Sequence, residues 1–209
     1  MAAALLAAAA VVALVDWWAV GTGRRPVELL SKPLVIVLLL GAAATLTPEA
    51  DAQRWLVVGA LGLSLAGDVA LLAPPRWFVV GLAAFLVAHL VYVVALLGEP
   101  GGGESPAFGI VLAGIGAAIV GVPIVRAAAA RQGAAFAAAV SAYLLAISAT
   151  VVAAGMSGDA VARIGAVLLY ASDGVLGWNR FVRPLPQGRL LTRVPYHAGQ
   201  ALMVLSLLA

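Results

Sequence analysis

The stretch WLVVGALGLSLAGDVALLA, residues 55–73, decides the fold of this chain. A helix that crosses the hydrocarbon core of a bilayer needs about 20 consecutive apolar residues, and this stretch contains only one charged residue, Asp68. A carboxylate at such a depth is costly unless it has a partner or a function. The stretch therefore predicts a membrane-spanning helix that carries a functional acid.

The composition extends this prediction to the whole chain. Of the 209 residues, 64% are apolar and only 10% are charged, and the mean hydropathy is +1.11. A soluble domain carries about 25% charged residues, so the composition indicates an integral membrane protein. The chain has no cysteine, which excludes disulfides and thiolate chemistry. It also has no basic patch with interleaved aromatic residues, so nucleic acid is not an expected partner.

The apolar segments predict an all-α, polytopic membrane protein with eight transmembrane helices in one bundle, a single domain over residues 1–209. No basic region precedes the first segment and no cleavage pattern follows it, so we expect a retained helix rather than a signal peptide. The expected segments are residues 2–20, 33–47, 55–73, 77–98, 108–126, 135–155, 161–178 and 190–208.

The basic residues predict an orientation. Of the 12 lysines and arginines, only Arg54 and Arg163 fall at even-numbered connections, and the other ten fall at odd-numbered ones. The positive-inside rule then places the odd connections in the cytoplasm and both termini on the other side. The even connections hold acids instead: Glu49, Asp51, Glu99, Glu104 and Asp159.

Asp173 is a second acid inside an apolar segment, the seventh. The third and seventh segments run in the same direction, and Asp68 and Asp173 each lie five residues before the segment's end. At about 1.5 Å per residue, both acids are expected roughly 7–8 Å inside the cytoplasmic boundary. Equal depth in different helices predicts a shared acid–base site that opens towards the cytoplasm.

Further polar residues fall near this level and form the rest of the candidate site. Spacings of three and four residues place the polar residues of the eighth segment on one face of a helix. Within the third segment Ser64 lies one turn from Asp68, and within the fourth His89 and Tyr92 share one stripe. A structural role remains the alternative for each of them: a helix-end anchor, a packing aromatic or an ion pair that locks the bundle. The candidates are Lys32, Ser64, His89, Tyr92, Arg193, Tyr196 and Gln200.

The two histidines, His89 and His197, are expected at different depths, and His197 is expected to border the cytoplasmic interface. A zinc site needs three or four ligands from His, Cys, Asp or Glu. The sequence therefore predicts neither a metal nor another cofactor. The tryptophans lie near segment ends, as in an aromatic belt, and are assigned no chemistry.

Five stretches, in order, resemble the lysoplasmalogenase (YhhN-like) family of eight-helix membrane proteins. The first is Lys32-Pro33 with the apolar run that follows it. The others are LSLAGDVALL around Asp68, FVVGLAAFLVAHLVY from Phe78, LLYASDGVLGWNRF around Asp173 and PYHAGQALMVLS from Pro195.

This resemblance implies hydrolysis of the vinyl ether bond of lysoplasmalogens to a fatty aldehyde and a glycerophospho-base. The partners would be a lysophospholipid substrate and membrane lipids, and the oligomeric state is left open. We expect Lys32 and Arg193 to bind the substrate phosphate, and His89, Tyr196 and Gln200 to orient the carboxylates or the water. The expected location is the inner membrane of a bacterial cell.

The chemistry of a vinyl ether suits two carboxylates. Protonation at carbon creates an oxocarbenium ion that the ether oxygen stabilises, so the reaction needs a proton donor and a base for water. Two neighbouring carboxylates at low dielectric repel each other, so one holds a proton while the other stays ionised. We favour Asp173 as the acid and Asp68 as the base, although nothing in the sequence decides the order.

Two other functions use intramembrane acids. A proton-coupled transporter or lipid carrier would use Asp68 and Asp173 as relay carboxylates. An intramembrane aspartyl protease also has an acid on each of two helices, but Tyr170 lies three residues before Asp173 rather than one, and no Pro-Ala-Leu element follows. The transporter is the main alternative.

Overall fold

The computed structural model describes residues 1–48, 51–98 and 105–208. Within these ranges the chain forms eight long helices and no strand. Glu49, Glu99 and Glu104 of the predicted acidic connections lie outside the described residues. The helices are α1 (Ala2–Thr22), α2 (Arg25–Thr45), α3 (Asp51–Leu72), α4 (Phe78–Leu97), α5 (Ala107–Gln132), α6 (Ala134–Met156), α7 (Ala160–Val182) and α8 (Gly188–Leu205).

Seven of the eight described helices, α1 to α7, are long and apolar enough to cross a membrane. The last one, α8, is less apolar, but its polar residues Arg193, Tyr196, His197 and Gln200 are buried in the bundle. Large apolar side chains such as Leu14 are exposed on the outside, where a bilayer would cover them. The prediction of an all-α, polytopic membrane protein is confirmed.

Local signals explain several helix boundaries. Gly23 ends α1 in the left-handed conformation, with φ of 72°, which glycine adopts without steric cost. Asp159 caps α7 by accepting hydrogen bonds from the backbone N–H groups of Val161 (2.8 Å) and Ala162 (3.1 Å), which satisfies two amides that have no partner within the helix.

The second helix begins earlier than the sequence indicates. We expected a short segment from Pro33, with an extension by the residues before it as the alternative; α2 begins at Arg25 with Pro26 in its first turn, and Pro33 lies within the helix. Proline fits the first turn because the amide it lacks would have no helical partner there. As a result Glu28 and Lys32, expected in or beside a loop, lie inside a helix and are buried.

Two helices contain wider turns. Helix α5, from Ala107 to Gln132, is one span that contains a π-helical segment at Ala117–Gly121. Its end at Gln132 lies six residues beyond the predicted end at residue 126. The span α7 likewise ends in a π-helical segment, Trp178–Val182. Such π turns often lie near functional sites, and this second one follows Asp173 by less than two turns.

Helices α7 and α8 approach closely where glycines face each other. A Cβ atom on Gly199 would lie 2.9 Å from the carbonyl oxygen of Gly165, and one on Gly165 would lie 3.2 Å from the carbonyl oxygen of Gly199. Small residues permit this backbone contact. The contact packs α8 closely against α7, the helix that carries Asp173.

The connections 23–24, 73–77, 133 and 183–187 lie at one end of the bundle, which we call the basic end. Two contacts link them: the guanidinium of Arg25 donates to the carbonyl of Leu72 (3.4 Å), and that of Arg131 donates to the carbonyl of Val182 (3.3 Å). The arginines of the odd-numbered connections are therefore gathered on one side, as the positive-inside pattern requires.

Candidate functional site

Asp68 lies in α3 and is 1% exposed. Its Oδ1 atom is 2.8 Å from the ammonium nitrogen of Lys32, in α2. The phenol of Tyr196, in α8, donates a hydrogen bond of 2.9 Å to its Oδ2 atom. Three helices thus meet at this carboxylate, and its charge is compensated by one cation.

Asp173 lies in α7, and its side chain is 11% exposed. The phenol of Tyr143, in α6, donates a hydrogen bond to its Oδ2 atom. The same oxygen is 3.3 Å from Nε2 of His89, in α4. Each acid therefore has its own partners, a lysine and a phenol for Asp68 and an imidazole and a phenol for Asp173.

The two acids line one cavity of about 640 Å³, which extends to the basic end. The sequence predicted that they share a depth, and the cavity brings them to a common space. Lys32, Arg193 and Tyr196 also line it. Ligand sites in proteins commonly enclose about 300–1,000 Å³, so the volume suits a small amphiphile.

A narrow apolar pocket of about 30 Å³ adjoins this cavity, and Asp173 lines both. Its other walls include Phe78, Leu82 and Phe181. Asp173 therefore lies where a polar space meets an apolar one.

Three of the predicted supporting residues form a separate buried chain. The phenol of Tyr92 donates to the amide oxygen of Gln200 at 2.5 Å, and the amide nitrogen of Gln200 donates to the hydroxyl of Ser64 at 3.1 Å. Gln200 bonds to these two residues rather than to a carboxylate. The chain joins α3, α4 and α8 and satisfies an amide that is 2% exposed.

Arg193 lies between two acids that the sequence analysis missed. Its guanidinium donates to Glu28 at 2.6 Å and to Asp16 at 3.3 Å. Asp16 also accepts from the hydroxyl of Ser31 at 2.8 Å. Asp16 and Glu28 are 0% and 1% exposed, so this group of charges is buried where α1, α2 and α8 meet.

A signal for Asp16 was present, because it lies inside the first apolar segment, as Asp68 lies in the third. The sequence analysis missed Glu28 because the predicted second segment began at residue 33 and left Glu28 in a connection, whereas α2 begins at Arg25. Tyr143 and Thr150, both in α6, gave no comparable signal, since hydroxyl groups occur commonly in membrane helices. Only the packing of α6 against α4 and α7 shows their partners.

The mouth of the cavity carries two half-exposed arginines. The side chains of Arg25 and Arg189 are 51% and 57% exposed, and both bond to Glu28. At its inner edge, Ser172 donates to the carbonyl of Thr192 at 3.0 Å. The mouth is thus cationic, whereas the inner end holds the two acids.

The position expected for His197 was wrong. The residue is 2% exposed rather than at an interface, and its Nδ1 atom accepts a hydrogen bond of 3.1 Å from the indole of Trp17. It lies one residue beyond Tyr196 on α8, and the contact of α8 with α1 buries it.

Fold and site together define a polytopic helical membrane protein with two carboxylates, Asp68 and Asp173, at one cavity. The YhhN family matches residues 27–207, nearly the whole bundle. This protein belongs to the YhhN family.

Several curated proteins are similar to the chain. It is 36% identical over 176 residues to lysoplasmalogenase TMEM86B of Rattus norvegicus, covering 84% of this chain and 69% of that protein. It is 34% identical over 180 residues to lysoplasmalogenase TMEM86B of Homo sapiens, covering 86% and 74%. A shorter match, 52% identical over 65 residues, covers 30% of this chain and 24% of the lysoplasmalogenase of Mycobacterium bovis. No solved structure matches the chain.

Proposed function

We propose that this protein hydrolyses the vinyl ether bond of lysoplasmalogens, giving a fatty aldehyde and a glycerophospho-base. The observation that carries the proposal is that Asp68 and Asp173 line the same cavity inside an apolar bundle. Membership of a family whose curated relatives are named lysoplasmalogenases supports it.

The shape and charge of the cavity suit such an amphiphile. The phosphate would bind at the cationic mouth, first to Arg25 and Arg189, because guanidinium groups form strong hydrogen bonds with phosphate. Lys32 and Arg193 would add positive charge from deeper in the cavity. The alkenyl chain would leave past Asp173 into the adjoining apolar pocket, which side-chain movement must widen. The vinyl ether then lies beside the acids.

In the first step, Asp173 transfers a proton to the vinyl carbon that is not bound to oxygen. The carbon attached to the ether oxygen becomes an oxocarbenium centre. Asp68 takes a proton from water as the water oxygen bonds to that centre, and a hemiacetal forms. In this step Asp173 acts as general acid and Asp68 acts as general base.

In the second step, the hemiacetal collapses. The Asp173 carboxylate takes the proton of the hemiacetal hydroxyl, the carbon–oxygen bond to glycerol breaks, and protonated Asp68 gives its proton to the leaving oxygen. One water is consumed, and both acids return to their starting protonation.

The partners of the acids favour this order of roles. An ammonium group 2.8 Å from Asp68 compensates a carboxylate charge, which suits a base that starts ionised. Asp173 is bonded by a phenol and an imidazole instead. Tyr196 and His89 would hold the carboxylates in place, and the chain of Ser64, Tyr92 and Gln200 would hold the helices that carry them.

The charge pattern also supports a location. If the basic end faces the cytoplasm, as the positive-inside rule requires, the cavity opens towards the inner leaflet of a bacterial inner membrane. Reaction of a membrane-impermeant arginine reagent with Arg189 in oriented vesicles would test this. Labelling of Arg189 itself in right-side-out vesicles would contradict it.

The test of function is aldehyde release from a lysoplasmalogen by the purified protein in nanodiscs. We expect the wild type to release aldehyde, and Asp68→Asn and Asp173→Asn each to lower the rate about 100-fold or more. Asp51→Asn is the matched control, since it makes the same change on α3 at a side chain that is 69% exposed. Full activity of both site variants would contradict the mechanism.

Isotopic labelling tests which carbon is protonated and which carbon–oxygen bond is cleaved. In D₂O the aldehyde should carry one deuterium on the carbon next to the carbonyl, because that carbon receives the proton. In ¹⁸O-labelled water the glycerol product should stay unlabelled, because its oxygen comes from the ether. A folded wild type that releases no aldehyde but moves protons across a liposome membrane would support the transporter instead.

A further inference from the structure

Thr150, in α6, is 0% exposed and lies behind the acid site. Its hydroxyl oxygen is 3.1 Å from the carbonyl oxygen of Ala146, 3.3 Å from the carbonyl oxygen of His89 and 3.3 Å from Nδ1 of the His89 ring. Carbonyl oxygens only accept hydrogen bonds. The shortest of the three contacts is to the Ala146 carbonyl, one turn earlier in α6, and the hydroxyl proton placed there leaves Nδ1 as the one neighbour of the three able to donate to the hydroxyl oxygen.

This arrangement favours hydrogen on Nδ1 of the His89 ring. A neutral imidazole has one N–H, and the hydrogen bond of one nitrogen sets the state of the other. With hydrogen on Nδ1, the Nε2 atom presents a lone pair, and it lies 3.3 Å from Oδ2 of Asp173. A carboxylate oxygen facing that lone pair is repelled unless a proton lies between them.

We propose that Thr150 is a positioning residue that fixes hydrogen on Nδ1 of His89, so that Asp173 and His89 together hold one transferable proton. This inference rests on the proposed function, in which Asp173 is the acid. The proton lies on Oδ2 and is donated to Nε2, or on Nε2 and is donated to Oδ2. In both forms the pair has one proton more than a free carboxylate beside a neutral histidine.

The stored proton explains how the acid works in both steps. When Asp173 protonates the vinyl carbon, the pair is left with two acceptors facing each other. That contact is unfavourable at low dielectric, so the pair takes a proton back from the hemiacetal hydroxyl. The hydrogen bond from Tyr143 to Asp173 holds the carboxylate in place throughout.

Nitrogen NMR of ¹⁵N-histidine-labelled protein tests the inference without substrate. The chain has only two histidines, so His89→Asn and His197→Asn assign the signals by difference. We expect His89 to carry hydrogen on Nδ1 in the wild type and in Thr150→Ser, and to shift towards the Nε2–H form in Thr150→Val. A neutral Nε2–H tautomer in the wild type would overturn the role of Thr150, whatever the activity.

Kinetics provide the second readout. Thr150→Val should lower kcat by about 10–100-fold, the range seen when the partner that orients a functional histidine is lost, with KM within about twofold. Thr150→Ser, which keeps the hydroxyl, should restore most of kcat. Thr45→Val is the control, because among the described residues the Thr45 hydroxyl bonds to the Ala42 carbonyl of its own helix and to no site residue.

The outcomes separate the two proposals. A wild type that releases no aldehyde would contradict the proposed function. The tautomer of His89 is measured by NMR without substrate, so it tests the inference about Thr150 separately. Normal kcat in a folded Thr150→Val variant, or failure of Thr150→Ser to restore it, would overturn the inference about Thr150.

Discussion

Arg193 should be among the most sensitive residues for stability. It is 8% exposed and is the cation that pairs with Asp16, a carboxylate with no exposure at all. Arg193→Met would leave Asp16 buried with the hydroxyl of Ser31 as its remaining hydrogen-bond donor within the described part of the chain. Glu28 would keep its contacts with Arg25 and Arg189, so the loss arises mainly at Asp16.

Removing one partner of a buried ion pair typically costs about 3–5 kcal/mol, because the remaining charge is left uncompensated. For a chain of this length, 1 kcal/mol corresponds to roughly 2–4 °C in Tm. We therefore expect Arg193→Met to lower Tm by about 6–20 °C, measured by tryptophan fluorescence during heating in mild detergent.

The double variant Asp16→Asn/Arg193→Met decides whether charge is the cause. It removes both charges, so it should recover roughly half of the loss or more. Arg126→Met, at an exposed arginine of α5, should change Tm by no more than about 2 °C. Equal destabilisation in the single and double variants would refute the argument, because the loss would then come from packing.

Three other variants test separate parts of the bundle. Gln200→Leu removes the centre of a buried hydrogen-bond chain and should cost about 1–3 kcal/mol in thermal unfolding; an unchanged Tm would contradict this. Gly199→Ala places a Cβ atom 2.9 Å from the carbonyl oxygen of Gly165, so it should separate α7 from α8 and lower Tm. Chemical cross-linking between α7 and α8 should then become less efficient. Tyr196→Phe removes a hydrogen bond to Asp68 and should lower kcat for aldehyde release about 10–100-fold, with Tm nearly unchanged; a change in KM alone would oppose this role.

The helices and the membrane class were predictable from local sequence. Length, apolar content and the partition of arginines are properties of consecutive residues, so residues 55–73 alone predict most of α3. Boundaries were less certain where proline is involved. Pro33 suggested a helix start because proline is disfavoured in a helix interior, but α2 begins at Arg25 and contains Pro33 in its interior, which membrane helices tolerate because neighbouring groups satisfy the freed carbonyl.

The choice of partners depended on tertiary structure. The sequence placed Asp68 and Asp173 at one depth, but a lysine for one acid and an imidazole for the other follow from which helices touch. Asp16 and Arg193 are 177 positions apart in the chain. Hydropathy is a sum over neighbouring residues, whereas a buried charge is stabilised by atoms a few ångströms away in space. For that reason the sequence by itself determined the apolar helices and predicted a common depth for the two acids, and only the packing of the helices decided their charge partners.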